Sequence, residues 1–339
     1  GISTGKKRRF INQESDEIKY LVCNAHETEP GTCKDRDILR YNPHALLEGM
    51  LIASYAIGAE VAYCYLRGEF IDDVYLSVKK ALKDAYKNKL IGKNILDSNV
   101  CIEIHDLIGA GAYIVGEETA MLESIEGKKG FPRYKPPFPA VKGLFGCPTI
   151  INNVETLASV PEIINKGSEW FNKIGTDKSS GFKCFSVSGH VNKPGNYEIP
   201  LGTPFKDLLE LAGGVKNNKK LKAVIPGGSS VPVVPGEKML ETNMDYESIS
   251  NAGSMLGSGA VIIMDEDTNM VEVIHRIARF YYSESCGQCT PCREGTGWMY
   301  KIIDKIIKGQ ATIEDFESLK SIPNMISCLL YTSPSPRDS

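Results

Sequence analysis

The chain has 339 residues, long enough for two or three domains with a substantial buried core. Its 42% hydrophobic and 24% charged content is ordinary for a globular protein, and a net charge of −3 offers no basic surface for nucleic-acid phosphates. No stretch reaches the roughly 20 apolar residues of a membrane span, and Gly1 to Phe10 is short, basic and without the apolar core of a signal peptide. The expectation is therefore no nucleic acid and no direct membrane insertion.

Along the chain, Ile18 to Cys23 reads as a short apolar strand. Asn42-Pro43 starts a helix with a capping residue and a first-turn proline; Leu46, Leu47, Met50, Leu51 and Tyr55 share one face, and Gly58 ends it. Glu60 to Leu66 reads as a second strand, Val74 to Leu90 as an amphipathic helix and Val100 to Ile104 as a third strand. This βαβαβ order predicts a parallel sheet covered by helices. Gly109-X-Gly111 and Gly116 then lead into a helix ending at Gly127, a proline-rich stretch covers Phe131 to Pro139, and a short helix starts near Asn153.

Beyond a composition shift at Gly167 to Lys183, Cys184 to Val191 and Asn196 to Pro200 read as strands around an Asn-Lys-Pro-Gly turn. Thr203-Pro204 caps a helix, Phe205 to Ala212, closed by Gly213-Gly214. Strands at Ala223 to Pro226 and Val231 to Val234 complete a ββαββ unit of the β-grasp kind. The last region is helical: Val271 to Tyr282, Arg293 to Lys308 with a core stripe of Trp298, Ile302, Ile303, Ile306 and Ile307, and Thr312 to Met325. The chain lacks an initial Met, so its start is expected to lie inside a longer protein. The run from Cys328 to Ser339 breaks from the helical pattern and resembles translated sequencing-adapter read-through, with a natural Ser/Pro tail as the alternative.

Of the ten cysteines, Cys64, Cys101, Cys147 and Cys184 are expected as buried thiols in a reducing, cytoplasmic compartment. Cys286, Cys289 and Cys292 form a separate cluster, Cys-Gly-Gln-Cys-Thr-Pro-Cys, that brings three thiolates onto one turn. That spacing suits three corners of an iron–sulfur cubane; zinc or unligated thiols are the alternatives, and zinc usually draws on paired CxxC sites or histidine. Two polar turns follow strands, where open α/β sheets bind ligands: Asn24 to Gly31, with His26, Glu27 and Glu29, and Gly116-Glu117-Glu118, whose carboxylates also suit a helix start. Asn152-Asn153 adds paired amides suited to the edge of a flavin ring.

Five segments, Leu21 to Gly31, Gly111 to Ala120, Lys135 to Pro139, Ile151 to Leu157 and Glu284 to Gly295, resemble the signature runs of the flavoprotein component of respiratory complex I. The likeness covers residues 1 to 327 in order. It implies a Rossmann-like FMN/NADH domain over 1–175, a β-grasp (soluble ligand-binding) domain over 180–255 and a helical [4Fe–4S] domain over 256–327, with 328–339 set aside as the tail. It implies that FMN meets Lys7, Asn24, His26, Tyr113, Gly116, Glu117, Asn152 and Asn153. NADH would meet Glu29 and Glu118, which orient the nicotinamide, with Phe10 and Phe138 stacking on adenine. Cys286, Cys289 and Cys292 would hold the cluster. The implied partners are the thioredoxin-like 2Fe–2S subunit and the large iron–sulfur subunit, in an assembly peripheral to the inner face of the plasma membrane.

There are departures from the family pattern. The family's glycine-rich flavin loop would precede Gly1, His26 stands where an aspartate is expected, and Ile2, Arg8 and Cys33 replace aromatic residues. A fourth cluster cysteine is expected near Thr332, out of register with Cys328, so this chain as it stands is expected to hold FMN poorly and to be inactive. Two alternatives accompany this reading: the diaphorase subunit of a soluble NAD-reducing hydrogenase or formate dehydrogenase, and a non-enzymatic β-grasp protein with a structural metal.

Overall fold

The computed structural model describes residues 4–12 and 16–330, with side chains to residue 327. Ile2, the side chain of Cys328 and the position near Thr332 therefore lie outside the described residues.

Four parallel strands build the first sheet: β1 Tyr20–Ala25, β2 Val61–Leu66, β3 Glu103–Ile108 and β4 Thr149–Asn153, in the order β3-β2-β1-β4. In β1, Leu21, Cys23 and Ala25 pack into one core with the helices Pro43–Ile57 and Val74–Lys87. Val22 points the other way, against Met121, Leu122, Leu144 and Ile151. A strand covered on both faces needs the continuous apolar run that this sequence has.

The chain leaves β1 for β2 and β3 on one side and returns to β4 on the other. The strand order therefore reverses between β1 and β4, where ligand crevices form in open α/β sheets. The register pairs Cys23 with Asn152 and Asn24 with Asn153, so both strands end at that crevice.

The helix Pro43–Ile57 forms as its sequence indicates. Asn42 accepts a hydrogen bond from the Ala45 backbone N–H at 3.4 Å, and Gly58 closes the helix at φ 71°. Three features differ from expectation. β3 begins at Glu103, inside the expected Val100 to Ile104, and runs on to Ile108, β4 precedes the helix expected at Asn153, and a helix at Lys34–Tyr41 was not anticipated. This last helix carries Lys34 and Asp35 buried, against the ordinary rule for charged residues. Of the expected buried thiols, Cys64 is buried opposite Cys23, Cys147 and Cys184 are half-buried, and Cys101 is exposed just before β3 pairs.

The second sheet contains β5 Phe182–Gly189, β6 Gly195–Pro200, β7 Leu221–Ile225, β8 Val234–Pro235 and β9 Ala260–Asp265, in the order β6-β5-β9-β7-β8. β9 runs parallel to β5 and antiparallel to β7, so this β-grasp-like sheet extends past the boundary expected at 255. The helix Phe205–Leu211 has no side-chain cap, because its N-cap residue is Pro204, which carries no acceptor; Thr203 Oγ1 donates to Pro200 O at 2.7 Å.

Helices Met270–Glu284, Thr290–Ile307 and Ile313–Leu330 follow, the last continuing into the expected tail. Ile302 and Ile303 are buried, but Trp298 and Ile307 are exposed, which corrects the expected core stripe. Their ring and side chain face outward because the three helices bury only a narrow seam: Met270–Glu284 has no fully buried residue. Among the described residues no helix is long and apolar enough to cross a membrane.

Candidate functional site

The turns after β1 and before the helix Glu118–Ile125 are stitched together across the crevice. Asn24 donates from Nδ2 to Gly116 O at 2.9 Å, and its Oδ1 accepts from the His26 N–H at 3.1 Å. His26 is buried, with Nε2 3.0 Å from Ala112 O and Nδ1 without a hydrogen-bond partner. Burial lowers its pKa and favours the neutral ring.

Glu117 is the cap of the following helix. Its Oε2 accepts from the N–H groups of Thr119 and Ala120 at 2.9 and 2.8 Å, and Oε1 takes Lys135 Nζ at 3.0 Å. The adjacent Glu118 pairs with Lys7 at 3.1 Å and Lys135 at 3.3 Å. Burial alone would raise its pKa, but the two ammonium groups hold the carboxyl below the usual glutamate range. Glu118 is thus held ionised within a cluster of two lysines and two glutamates.

Glu29 is held by Tyr113 OH at 2.6 Å and by the Ser230 N–H at 2.8 Å, the latter from the loop after β7. Burial and the Glu29 charge push the Tyr113 phenol well above its ordinary range. Phe10 and Phe138 are 59% and 54% exposed, leaving their rings open to stacking.

Asn152 and Asn153 serve different ends. Asn153 is saturated: Oδ1 accepts from the Glu155 N–H and Lys34 Nζ at 3.0 and 3.1 Å, and Nδ2 donates to Asp35 at 2.6 Å. Asn152 is buried and its Oδ1 has no partner within the protein. A buried acceptor left unpaired is costly, so a ligand donor suits this position. Gly116 lies beside the His26 ring, where a Cβ would meet Thr28 Oγ1 at 3.5 Å and His26 O at 3.6 Å without a clash. A glycine next to the unpartnered His26 Nδ1 fits a flat, hydrogen-bonding ring such as flavin.

Behind Asn153 runs a buried charge network that sequence reasoning missed. Lys34 pairs with Asp35 at 2.7 Å and Glu155 at 3.0 Å, and Glu155 pairs with Lys183 of β5 at 3.1 Å. Burial opposes the ionised form of Glu155, yet Lys34 and Lys183 bring its pKa down to about 2. Glu27 accepts from the N–H groups of Asp35 and Arg36 at 2.8 and 3.1 Å, while burial and the Asp35 charge push it up to about 7. Glu27 stood in the polar turn and Glu155 in a signature segment, but their pairing with Lys34, Asp35 and Lys183 gave no signal, because the partners are distant in sequence.

The three cysteines sit at the junction of two helices. Cys286 and Cys289 lie in the loop after Met270–Glu284, Cys289 capping Thr290–Ile307, and Cys292 is in that helix's first turn. All three are half-buried, and none is in a disulfide. Among the described residues no three His, Cys, Asp or Glu side chains converge as a single-ion site would. A donor set of three separate thiols on one loop fits a cluster, whose corners each take one thiolate.

Family models match the same three regions. One described as the Nuo51 FMN-binding domain covers residues 1–162, an SLBB domain covers 184–234, and an NADH-ubiquinone oxidoreductase-F iron-sulfur binding region covers 272–332. The NADH-quinone oxidoreductase F-subunit of Rickettsia bellii (strain OSU 85-389) is 53% identical over 328 residues, 96% of this chain and 78% of that protein. The chain belongs to the family of NADH-quinone oxidoreductase F-subunits. The Rickettsia massiliae (strain Mtu5) member is likewise 53% identical, across 96% of this chain and 77% of its own length.

A crystal structure of an NAD+-reducing [NiFe]-hydrogenase in the H2-reduced state superimposes with a TM-score of 0.85 at 38% identity. It covers 95% of this chain, which spans about half, 53%, of that hydrogenase chain. The non-enzymatic alternative does not survive the FMN-binding match. The SLBB match falls on the second sheet, and the iron–sulfur match falls on the three helices.

Proposed function

We propose that this member of the NADH-quinone oxidoreductase family oxidises NADH in a quinone-reducing assembly, using FMN and a [4Fe–4S] cluster at Cys286, Cys289 and Cys292. The observation that carries this reading is the unpartnered, buried Asn152 Oδ1 at the crevice between β1 and β4. FMN, when bound, supplies the conversion between hydride acceptance and single-electron release.

The chain's own residues orient and insulate. Asn152 and the His26 ring hold hydrogen-bonding edges inside the crevice, and Asn24 keeps the Gly116 carbonyl turned toward β1. Lys7 and Lys135 bring positive charge where a phosphate-bearing nucleotide enters, and Glu118 balances it. Tyr113 and Glu29 form one hydrogen-bonded wall, and Phe10 and Phe138 offer rings for adenine. Glu117 and Asn153 support these groups, as helix cap and as part of the buried charge network, more than they touch a ligand.

The apolar side chains exposed on the three C-terminal helices, Trp298, Ile307 and Phe316 among them, suit docking of the 2Fe–2S and large iron–sulfur subunits. Attachment through such partners would bring the chain to the inner face of the plasma membrane. A diaphorase role beside a hydrogenase is the second reading, favoured by the 0.85 TM-score; the higher identity to quinone-linked relatives weighs against it.

The test uses protein from the complete parent gene. Yellow flavin absorbance and NADH–ferricyanide activity are expected together. Absence of both would end this reading.

A further inference from the structure

The cofactor turn and the cysteine loop come from distant parts of the chain, yet two hydrogen bonds fasten them. Glu284 ends the helix Met270–Glu284, and its Oε2 accepts from the Tyr113 backbone N–H at 3.0 Å. Gln288, between Cys286 and Cys289, donates from Nε2 to Pro132 O at 3.2 Å. Pro132 is itself anchored, because the next N–H, of Arg133, donates to Thr119 Oγ1 at 2.8 Å in the helix that Glu117 caps. The Tyr113 ring meets Phe280 and Tyr281 edge-on, with centroids 5.3 and 5.8 Å away.

Inside the loop the bonds are mixed in strength, the strongest being Arg293 Nη1, from the following helix, to Gly287 O at 2.8 Å. Ser285 Oγ lies 3.6 Å from Cys292 Sγ, the Gly287 N–H reaches Ser285 Oγ at 3.4 Å, and Gly287 takes a left-handed φ of 77°. These bonds tie the loop to its own helices, so its placement relative to the Tyr113 turn comes from Glu284 and Gln288. One tether would leave Cys286 free to pivot. Two tethers, one on each side of it, fix both its distance and its angle relative to Tyr113 and Gly116.

We propose that Glu284 and Gln288 are positioning residues that set the separation between the flavin crevice and the Cys286 corner of the cluster, and with it the rate of single-electron transfer. The proposal rests on the cofactor reading. Electron transfer falls steeply with separation, whereas hydride transfer at the crevice does not depend on where the cysteine loop sits.

The experiment compares the parent with Glu284→Ala/Gln288→Ala in the cofactor-loaded assembly, following flavin bleaching and cluster reduction separately after NADH is added. Flavin bleaching is expected to stay within about twofold of the parent while cluster reduction slows about tenfold, as a small displacement of reacting groups would produce. In the cluster-free chain, alkylation of Cys286 is expected to speed up in the same variant. Glu284→Gln keeps an acceptor for the Tyr113 N–H and should behave as the parent. If the double variant does not fold, Gln288→Ala alone reads the same quantities.

Unchanged cluster reduction with unchanged Cys286 alkylation overturns the proposal and leaves the cofactor reading intact. Equal slowing of flavin bleaching also overturns it, since the damage is then general. A parent that NADH does not reduce overturns the cofactor reading and this proposal together.

Discussion

Replacing Asn152 and Asn153 one at a time separates ligand contact from structural support. Asn152 Oδ1 has no partner within the protein, so Asn152→Leu is expected to change thermal stability little. It should weaken FMN binding about tenfold, the worth of one buried hydrogen bond. Asn153→Leu removes one hydrogen bond each from the buried Asp35 and Lys34 and should cost about 2 kcal/mol of stability. Flavin fluorescence titration and thermal unfolding, run on both variants, check the contrast.

Glu155 gives a pH signature. Its folded-state pKa of about 2 lies below the ordinary value of 4.5, so its stabilising contribution is complete above 4.5 and is lost as pH falls toward 2. Urea midpoints measured across that window should fall less steeply in Glu155→Gln than in the parent. At this scale the polar turns were legible, because Asn24, His26 and Glu29 follow a strand and Gly116-Glu117-Glu118 opens a helix. The roles within them were not. Nothing in the sequence distinguishes Asn152, whose Oδ1 is buried without a partner, from Asn153, which is consumed by Lys34 and Asp35.

At the scale of elements, the helix Pro43–Ile57 was readable at both ends, because its cap and its terminating glycine are local devices. Strands β4 and β9 were not recognised, since short strands buried on both faces carry no alternation to mark them. The helix Lys34–Tyr41 was not anticipated, because its charges are paired only through tertiary contacts.

One element-scale prediction reverses an ordinary expectation. Alanine normally stabilises a helix over glycine by about 1 kcal/mol. At Gly49, however, a Cβ would lie 1.9 Å from the Leu157 carbonyl oxygen of the helix Val154–Ala158. Gly49→Ala is therefore expected to destabilise the protein by about 3 kcal/mol through overpacking. Chemical denaturation of the variant measures this directly, and a stabilised protein would refute the packing described.

Across the whole molecule, three sequence regions become three physical tasks. The parallel sheet reverses its strand order between β1 and β4 and opens a crevice there. The second sheet locks onto it through Lys183–Glu155 and through Ser230, which reaches Glu29. The C-terminal helices present the cysteine loop to the same crevice through Glu284 and Gln288. The triplet of cysteines and the order of regions could be read from sequence because both are local patterns. The contacts joining the regions could not, since they form only once the chain has folded.

The central claim is that NADH's electrons leave the crevice through the cysteine loop. Anaerobic addition of NADH to the cofactor-loaded assembly, followed by optical and paramagnetic-resonance spectra, tests it most directly. The account predicts flavin bleaching together with a reduced-cluster signal in the parent, and bleaching without that signal in Cys289→Ser. A parent that NADH does not bleach, or a Cys289→Ser variant with an undiminished cluster signal, would contradict it.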